Sequence, residues 1–290
     1  MPVSAKDVAA LRARTGAGMG DCKKALEETN GDIEKAIDLL RTKGIAKAEK
    51  RAGRAAAEGQ VIAWVSDDGS LGAMIELNSE TDFVSRNDEF VAIAKLVAHH
   101  IAEDTSLDGV ADIGADHALL GKKWHHDKAQ TLGEVVKGAA AKTGENVSLR
   151  RVARFASNGA ANFYRHFNGK IGVLVDIAGA KGEPAAALAR SVAEHVAAGV
   201  PVIPVAVRKE DVPADAVARE KEIYVAQAKE SGKPEAIVEK MVAGRVEKYY
   251  KEVTLLEQPW VRNPEKTIGQ VVKDVPGASV VRFARFEIGA

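Results

Sequence analysis

Four stretches of this chain occur twice, in the same order, and such a duplication requires two halves built on a shared scaffold. GSLGAMIEL at 69–77 matches GKIGVLVDI at 169–177, and AIAKLVAHHIA at 92–102 matches ALARSVAEHVA at 187–197. TLGEVVK at 131–137 matches TIGQVVK at 267–273, and RVARF at 151–155 matches RFARF at 282–286. The offsets run 100, 95, 136 and 131, so each copy has gained something the other lacks. The first holds five extra residues around Glu80 to Val84; the second holds 41 between its helix and TIGQVVK.

Each copy reads as a small antiparallel three-stranded sheet with helices on one face, an α+β arrangement. In the first, EGQVIAWV and LGAMIEL are strands separated by the hairpin signal Asp67-Asp68-Gly69. A helix follows from about Asn87 to Ala102, and TLGEVVKGAAA forms another that leads into the strand VSLRRVARF. Residues 104–124 carry no clear period. The second copy has strands near FYRHF, IGVLVDI and SVVRFARFEI. Its extra residues predict helices over 214–230 and 236–253 around the turn SGKPE at 231–235, a hairpin whose stripe Val238, Val242, Val246, Tyr249 and Val253 packs on the partner arm.

Ahead of the duplication, residues 4–44 predict three short helices. Ser4 caps the first, with Asp7 three residues on; TGAGMG at 15–20 breaks it; Asn30-Gly31 stops the second; and Asp32 caps a third that carries Ile33, Ile37 and Leu40. The basic segment KGIAKAEKRAGR at 43–54 is a solvated helix tail and connector, with a nucleic-acid or ribosome contact as the alternative. The domains are therefore 1–53, a three-helix module with a basic linker; 54–160, the first core subdomain; and 161–290, the second, with the hairpin 214–253 inserted.

A hydrophobic content of 46% suits a chain that buries real cores, while 41 basic residues against 41 acidic ones leave no excess for holding nucleic acid by its phosphates. No segment is apolar enough for a membrane span or a signal peptide, and the single Cys22 allows no internal disulfide, which fits a reducing cytoplasm.

The chain shows no catalytic pattern. The glycines at 16, 18 and 20 complete neither a P-loop nor GxGxxG, and GxSxG and HExxH are missing. Five of seven histidines fall between His99 and His126, but adjacent residues on a helix point apart and no spacing closes a metal site. What remains is ETDFV. Phe83 lies seven residues before Phe90, which suits two rings on one buried helix face, with Asp82 as an ordinary cap. Against that, the second copy builds the same sheet and helix without this segment, and an addition that the fold does not need points to binding.

The residues TGAGMGDCKKALEETNGDIEKAIDLLR at 15–41, ETDFVSRN at 80–87 and EQPWVRNPEKTIGQVV at 257–272 together resemble the elongation factor Ts family, the guanine-nucleotide exchange factors of bacterial translation, over about residues 4–288. The resemblance implies an N-terminal module like a ubiquitin-associated domain, a duplicated core with an inserted helical hairpin, no cofactor and no catalytic residues. It implies a cytoplasmic factor whose partner is elongation factor Tu, with no direct contact to nucleic acid or membrane. Thr81, Asp82, Phe83 and Val84 correspond to the element that enters between two helices of the partner's GTPase domain, disturbs its magnesium site and loosens GDP. Arg86 belongs to the same motif, and Arg12, Met19 and Lys23 resemble the surface that grips another helix of that domain. His195 matches a histidine that approaches the phosphate side of the nucleotide. Its alternative is a helix C-terminal residue ahead of Gly199 and Pro201, and His100 holds the same place in the first copy.

Two readings from other classes stand beside this one. An adaptor that binds through the N-terminal module would lose little binding if residues 81–84 became glycines. A small-molecule enzyme in a cleft between the copies would turn over ligand with no GTPase present.

Overall fold

The protein is known from a computed structural model that describes residues 3–229 and 234–290. It is mixed α and β, with helices and antiparallel sheet in the α+β manner. The chain divides into two compact units, one made of Met1–Ile62, Met74–Ala153 and Phe286–Ala290, the other of Ala63–Ala73 and Arg154–Arg285.

The first unit begins with α1 (Ala5–Thr15), α2 (Met19–Glu28) and α3 (Ile33–Glu49). Ser4 and Asp7 form a reciprocal capping box on α1, and Gly16, at φ 68°, ends it by returning its N–H to the carbonyl of Arg12. Asn30 and Gly31 both take positive φ where the chain turns, and Asp32 caps α3 by accepting the N–H of Lys35. Val8, Leu11, Cys22, Ala25, Leu26 and Ala36 close the core between the three helices.

Then come β1 (Glu58–Val65), β2 (Leu71–Ser79), the single turn α4 (Asp82–Ser85), α5 (Asp88–Glu103), β3 (Gly109–Asp112), α6 (Leu132–Thr143) and β4 (Ser148–Ala156). These strands form a sheet in the order β1-β2-β4-β3. It has four strands where three were expected, because the stretch without a clear period, 104–124, contributes β3 at the edge and a 3-10 turn at Ala118–Gly121. Helix α6 carries the capping box Thr131/Glu134 and packs against α3 so closely that a Cβ on Gly44 would lie 2.9 Å from that of Ala141. Lys137 and Glu49 join the same two helices at 2.7 Å.

The rest of the chain forms β5 (Ala160–Arg165), β6 (Ile171–Ala178), α7 (Gly182–Ala198), α8 (Ala214–Lys229), α9 (Glu235–Val253), β7 (Pro259–Trp260), β8 (Asn263–Thr267), α10 (Ile268–Lys273) and β9 (Ser279–Glu287). The sheet β5-β6-β9 has β5 and β6 antiparallel, with Ala160 opposite Ile177 and Arg165 opposite Gly172. One face is covered by α7, whose Ala185, Leu188, Ala189, Val192 and Val196 meet Val173, Val175 and Ile177 in the core. Helices α8 and α9 form a hairpin with its own small cores, Ala228, Val238 and Val242 in one and Ala206, Val212 and Val253 in the other. Residues 231–233 of the expected turn SGKPE lie outside the described residues.

Matched positions of the two copies carry matched ion pairs. Glu76, fully buried, accepts from Arg151 at 2.6 Å, and Asp176 accepts from Arg282 at 3.0 Å. A buried carboxylate is tolerated only when paired, so each β-strand that contributes the acid depends on the strand contributing the arginine. Among the described residues, no helix is long and apolar enough to cross a membrane.

Candidate functional site

The five residues peculiar to the first copy form a short projecting loop at the end of β2. Thr81 caps α4, its Oγ1 accepting the N–H of Val84 at 3.4 Å. Asp82, read from the sequence as a possible cap, is instead the first helical residue and pairs with Arg86 at 3.2 Å. Phe83 is 85% exposed, whereas Phe90, seven residues on, is 1% exposed and sits in the core. The seven-residue spacing therefore does not put both rings on one buried face, because α4 and α5 are separate helices broken at Arg86 and Asn87. Val84 is half-buried and Ser85 fully so, which leaves Phe83 as the exposed side chain of α4.

The loop is held from below by residues that sequence reasoning missed. Thr81 donates its Oγ1–H to Oε1 of Glu145 at 2.6 Å and its N–H to Oε2 at 3.0 Å. Glu80 Oε1 accepts the N–H of Asn146 at 2.6 Å. The hydroxyls of Ser79 and Ser85 donate to the carbonyls of Thr81 and Asp82, each at 3.0 Å.

A second exposed surface lies on the three-helix module. Arg12, Met19 and Gly16 line a groove of about 630 Å³ together with Glu89 from the start of α5 and Lys142 from α6. Met19 is 49% exposed at the first position of α2, and Lys23, one turn on, makes only a loose pair with Glu27 at 3.8 Å. Glu89 follows α4 by four residues in the sequence.

His195, which the resemblance places near the phosphate side of the partner's nucleotide, lies inside the second copy. It is 0% exposed, near the end of α7. Its Nδ1 accepts the backbone N–H of Val261 at 3.2 Å, which puts the ring proton on Nε2, where it donates to Oε1 of Gln258 at 2.9 Å. Gln258 in turn donates to the carbonyls of Val202 and Glu252 at 2.9 and 2.5 Å. Burial pushes the imidazole below its ordinary value, only partly offset by the Gln258 bond, so the ring is neutral. Several apolar residues of the segments that follow α7 and Gln258 are exposed: Val200, Val202, Ile203, Val205 and Val261.

The first copy repeats the Nδ1 half of this arrangement, while the buried Nε2 of His100 has no counterpart of the Gln258 bond. Nδ1 of His100 accepts the N–H of His125 at 3.1 Å, and His99, His125 and His126 cluster with ring centres 5.2–5.7 Å apart. Among the described residues no group of three or more His, Cys, Asp or Glu is arranged to hold a metal ion.

The comparisons with known proteins bear on the whole chain. A family model described as "Elongation factor TS" matches residues 80–290. The chain is 48% identical over 294 residues to "Elongation factor Ts" of Clostridium botulinum, covering 99% of this chain and 93% of that one. The chain belongs to the elongation factor Ts family. The relative from Halothermothrix orenii is 43% identical over 289 residues, covering 100% of this chain and 93% of its own. That from Aquifex aeolicus is 43% identical over 291 residues, covering 100% and 99%. Membership in the elongation factor Ts family makes this chain a translation elongation factor.

Proposed function

We propose that this chain is a guanine-nucleotide exchange factor that binds elongation factor Tu in its GDP form and promotes GDP release by disturbing the partner's magnesium site, so that GTP can reload. The observation that carries the reading is Phe83, an aromatic ring 85% exposed on a one-turn helix that only one copy possesses. An exposed aromatic on a braced turn has no folding role and suits insertion into a partner's crevice. Thr81, Asp82 and Val84 shape the turn that presents it, and Arg86 stands exposed beside it. The chain makes and breaks no bond; it is not an enzyme in its own right, and the setting is the cytoplasm. Neither nucleic acid nor membrane takes part.

Magnitudes argue for several contacts at once. Burying a Phe contributes about 1.5–3 kcal/mol, and each 1.4 kcal/mol is about tenfold, so one ring yields roughly ten- to a hundredfold. In this reading the three-helix module of residues 1–53 grips a second helix of the partner through Arg12, Met19 and Lys23. The core subdomains 54–160 and 161–290 supply the remainder, with the hairpin 214–253 as a separate arm. His195 acts by shape: neutral and buried, it fixes the loops that expose Val202 and Val261 toward the phosphate side of the nucleotide site. Linkage then requires GDP with magnesium to weaken binding of this chain by the same factor by which this chain weakens theirs.

Mixing the purified protein with elongation factor Tu loaded with fluorescent GDP tests the reading. Accelerated loss of fluorescence at substoichiometric protein is expected. Binding without acceleration, unaffected by glycines at 81–84, would favour an adaptor acting through the N-terminal module instead.

A further inference from the structure

We infer that the Glu145-Asn146 turn is a positioning clamp that sets how Phe83 is presented and ties that loop to the linker of the three-helix module. The inference rests on reading Phe83 as the element that enters the partner.

A helix of one turn has almost no stability of its own, since nucleation fixes several residues for a single hydrogen bond. Phe83 adds nothing to it, because its ring is exposed. Order must come from elsewhere. Gly144, at φ 77°, ends α6 in the left-handed conformation and turns the chain so that Glu145 faces Thr81. Both carboxylate oxygens of Glu145 are taken up by Thr81, from its N–H and its hydroxyl, and bonds to a charged acceptor are roughly twice as strong as neutral ones. The next residue repeats the pattern on a second segment. Asn146 donates its N–H to Glu80 and its Nδ2 to the carbonyls of Ala52 and Arg54, at 3.3 and 2.7 Å. Arg54 also reaches Glu80 at 3.5 Å. Two consecutive residues therefore hold the Phe83 loop and the end of the module's linker in one network.

The duplication supplies an independent line. ENVSLRRVARF at 145–155 aligns with PGASVVRFARF at 276–286, so the second copy has Pro276 and Gly277 where the first has Glu145 and Asn146. There the backbone closes directly: a Cβ on Gly179, the counterpart of Ser79, would collide with the carbonyl oxygen of Gly277. The copy without the loop is also without the side chains that hold it.

Stopped-flow release of fluorescent GDP from elongation factor Tu tests the clamp, with the full chain titrated to saturation. Glu145→Ala and Thr81→Val are each expected to lower the maximal release rate about tenfold, with the half-saturating concentration changed less. Thr81→Ser, which keeps both donors to Glu145, is expected to recover most of the rate that Thr81→Val loses. On a Phe83→Ala background, Glu145→Ala is expected to cost nothing further, because there is no ring left to position. Thermal melts identify a Glu145→Ala chain that fails to fold, and Thr81→Val, a change within the loop itself, then carries the test. If Phe83→Ala slows release while Glu145→Ala and Thr81→Val leave the maximal rate unchanged, the clamp is overturned and the wedge stands. If Phe83→Ala itself releases GDP at the parent rate, the underlying reading falls instead.

Discussion

The backbone N–H of Val261 donates to Nδ1 of His195 at 3.2 Å, and that single bond decides how the histidine can act. With Nδ1 occupied as an acceptor, the neutral tautomer is required, and the ring sits beneath the loops it organises rather than facing outward.

A pH dependence follows. Burial holds the His195 imidazole below its ordinary value of 6.5, and His100 shifts the same way, chiefly through burial. The unfolded chain takes up these protons near pH 6.5 while the folded chain resists, so their contribution is fully present above that pH. It is lost as pH falls toward the lowered folded values. Urea unfolding across this range is expected to show stability declining below pH 6.5, with a shallower decline in His195→Gln. Identical slopes in the two proteins would mean that the buried ring does not resist protonation.

The contact of α3 with α6 predicts a compensating pair. Gly44→Ala is a better helix former by about 1 kcal/mol, yet it places a methyl group 2.9 Å from that of Ala141, and overpacking costs about 1–3 kcal/mol. The single variant is expected to lower the melting temperature and weaken partner binding through the displaced module. Gly44→Ala with Ala141→Gly is expected to restore the contact, at the cost of a glycine in α6. A stabilised single variant would show that the two helices part freely.

The hairpin of α8 and α9 keeps its distal core, Ala228, Val238 and Val242, separate from the core over the sheet, and Arg245 donates to Gln227 across the arms at 2.6 Å. Replacing residues 220–246 with a short Gly-Ser link is expected to preserve cooperative unfolding of the remainder. GDP release is expected to stay within about twofold, because the arms hold none of the residues assigned to exchange. Retained folding with abolished exchange would place an essential contact in the arms.

Much of the scaffold is visible in the residues because its signals are local. The cap at Ser4, the stop at Asn30-Gly31 and the runs that became β1 and β6 each depend on near neighbours. The edge strand β3 is not legible, since its one large apolar residue, Val110, faces outward and the partly buried positions hold only Gly109 and Ala111. Phe83 was found through the comparison of the two copies, while its supports, Glu145 and Asn146, lie 64 and 66 residues away in sequence from the groups they hold. The burial of His195 was equally hidden, because its partners Gln258 and Val261 come from a segment beyond the inserted hairpin.

The central claim is that Phe83 acts on a partner and not on the fold. Its direct test is Phe83→Ala, with GDP release from elongation factor Tu followed by stopped flow and stability followed by thermal melting. With the ring 85% exposed, the variant is expected to melt within the roughly 0.5 kcal/mol equivalent of a surface change and to slow release at least about tenfold. A loss of about 3–5 kcal/mol in stability, or release at the parent rate from an intact fold, would contradict it.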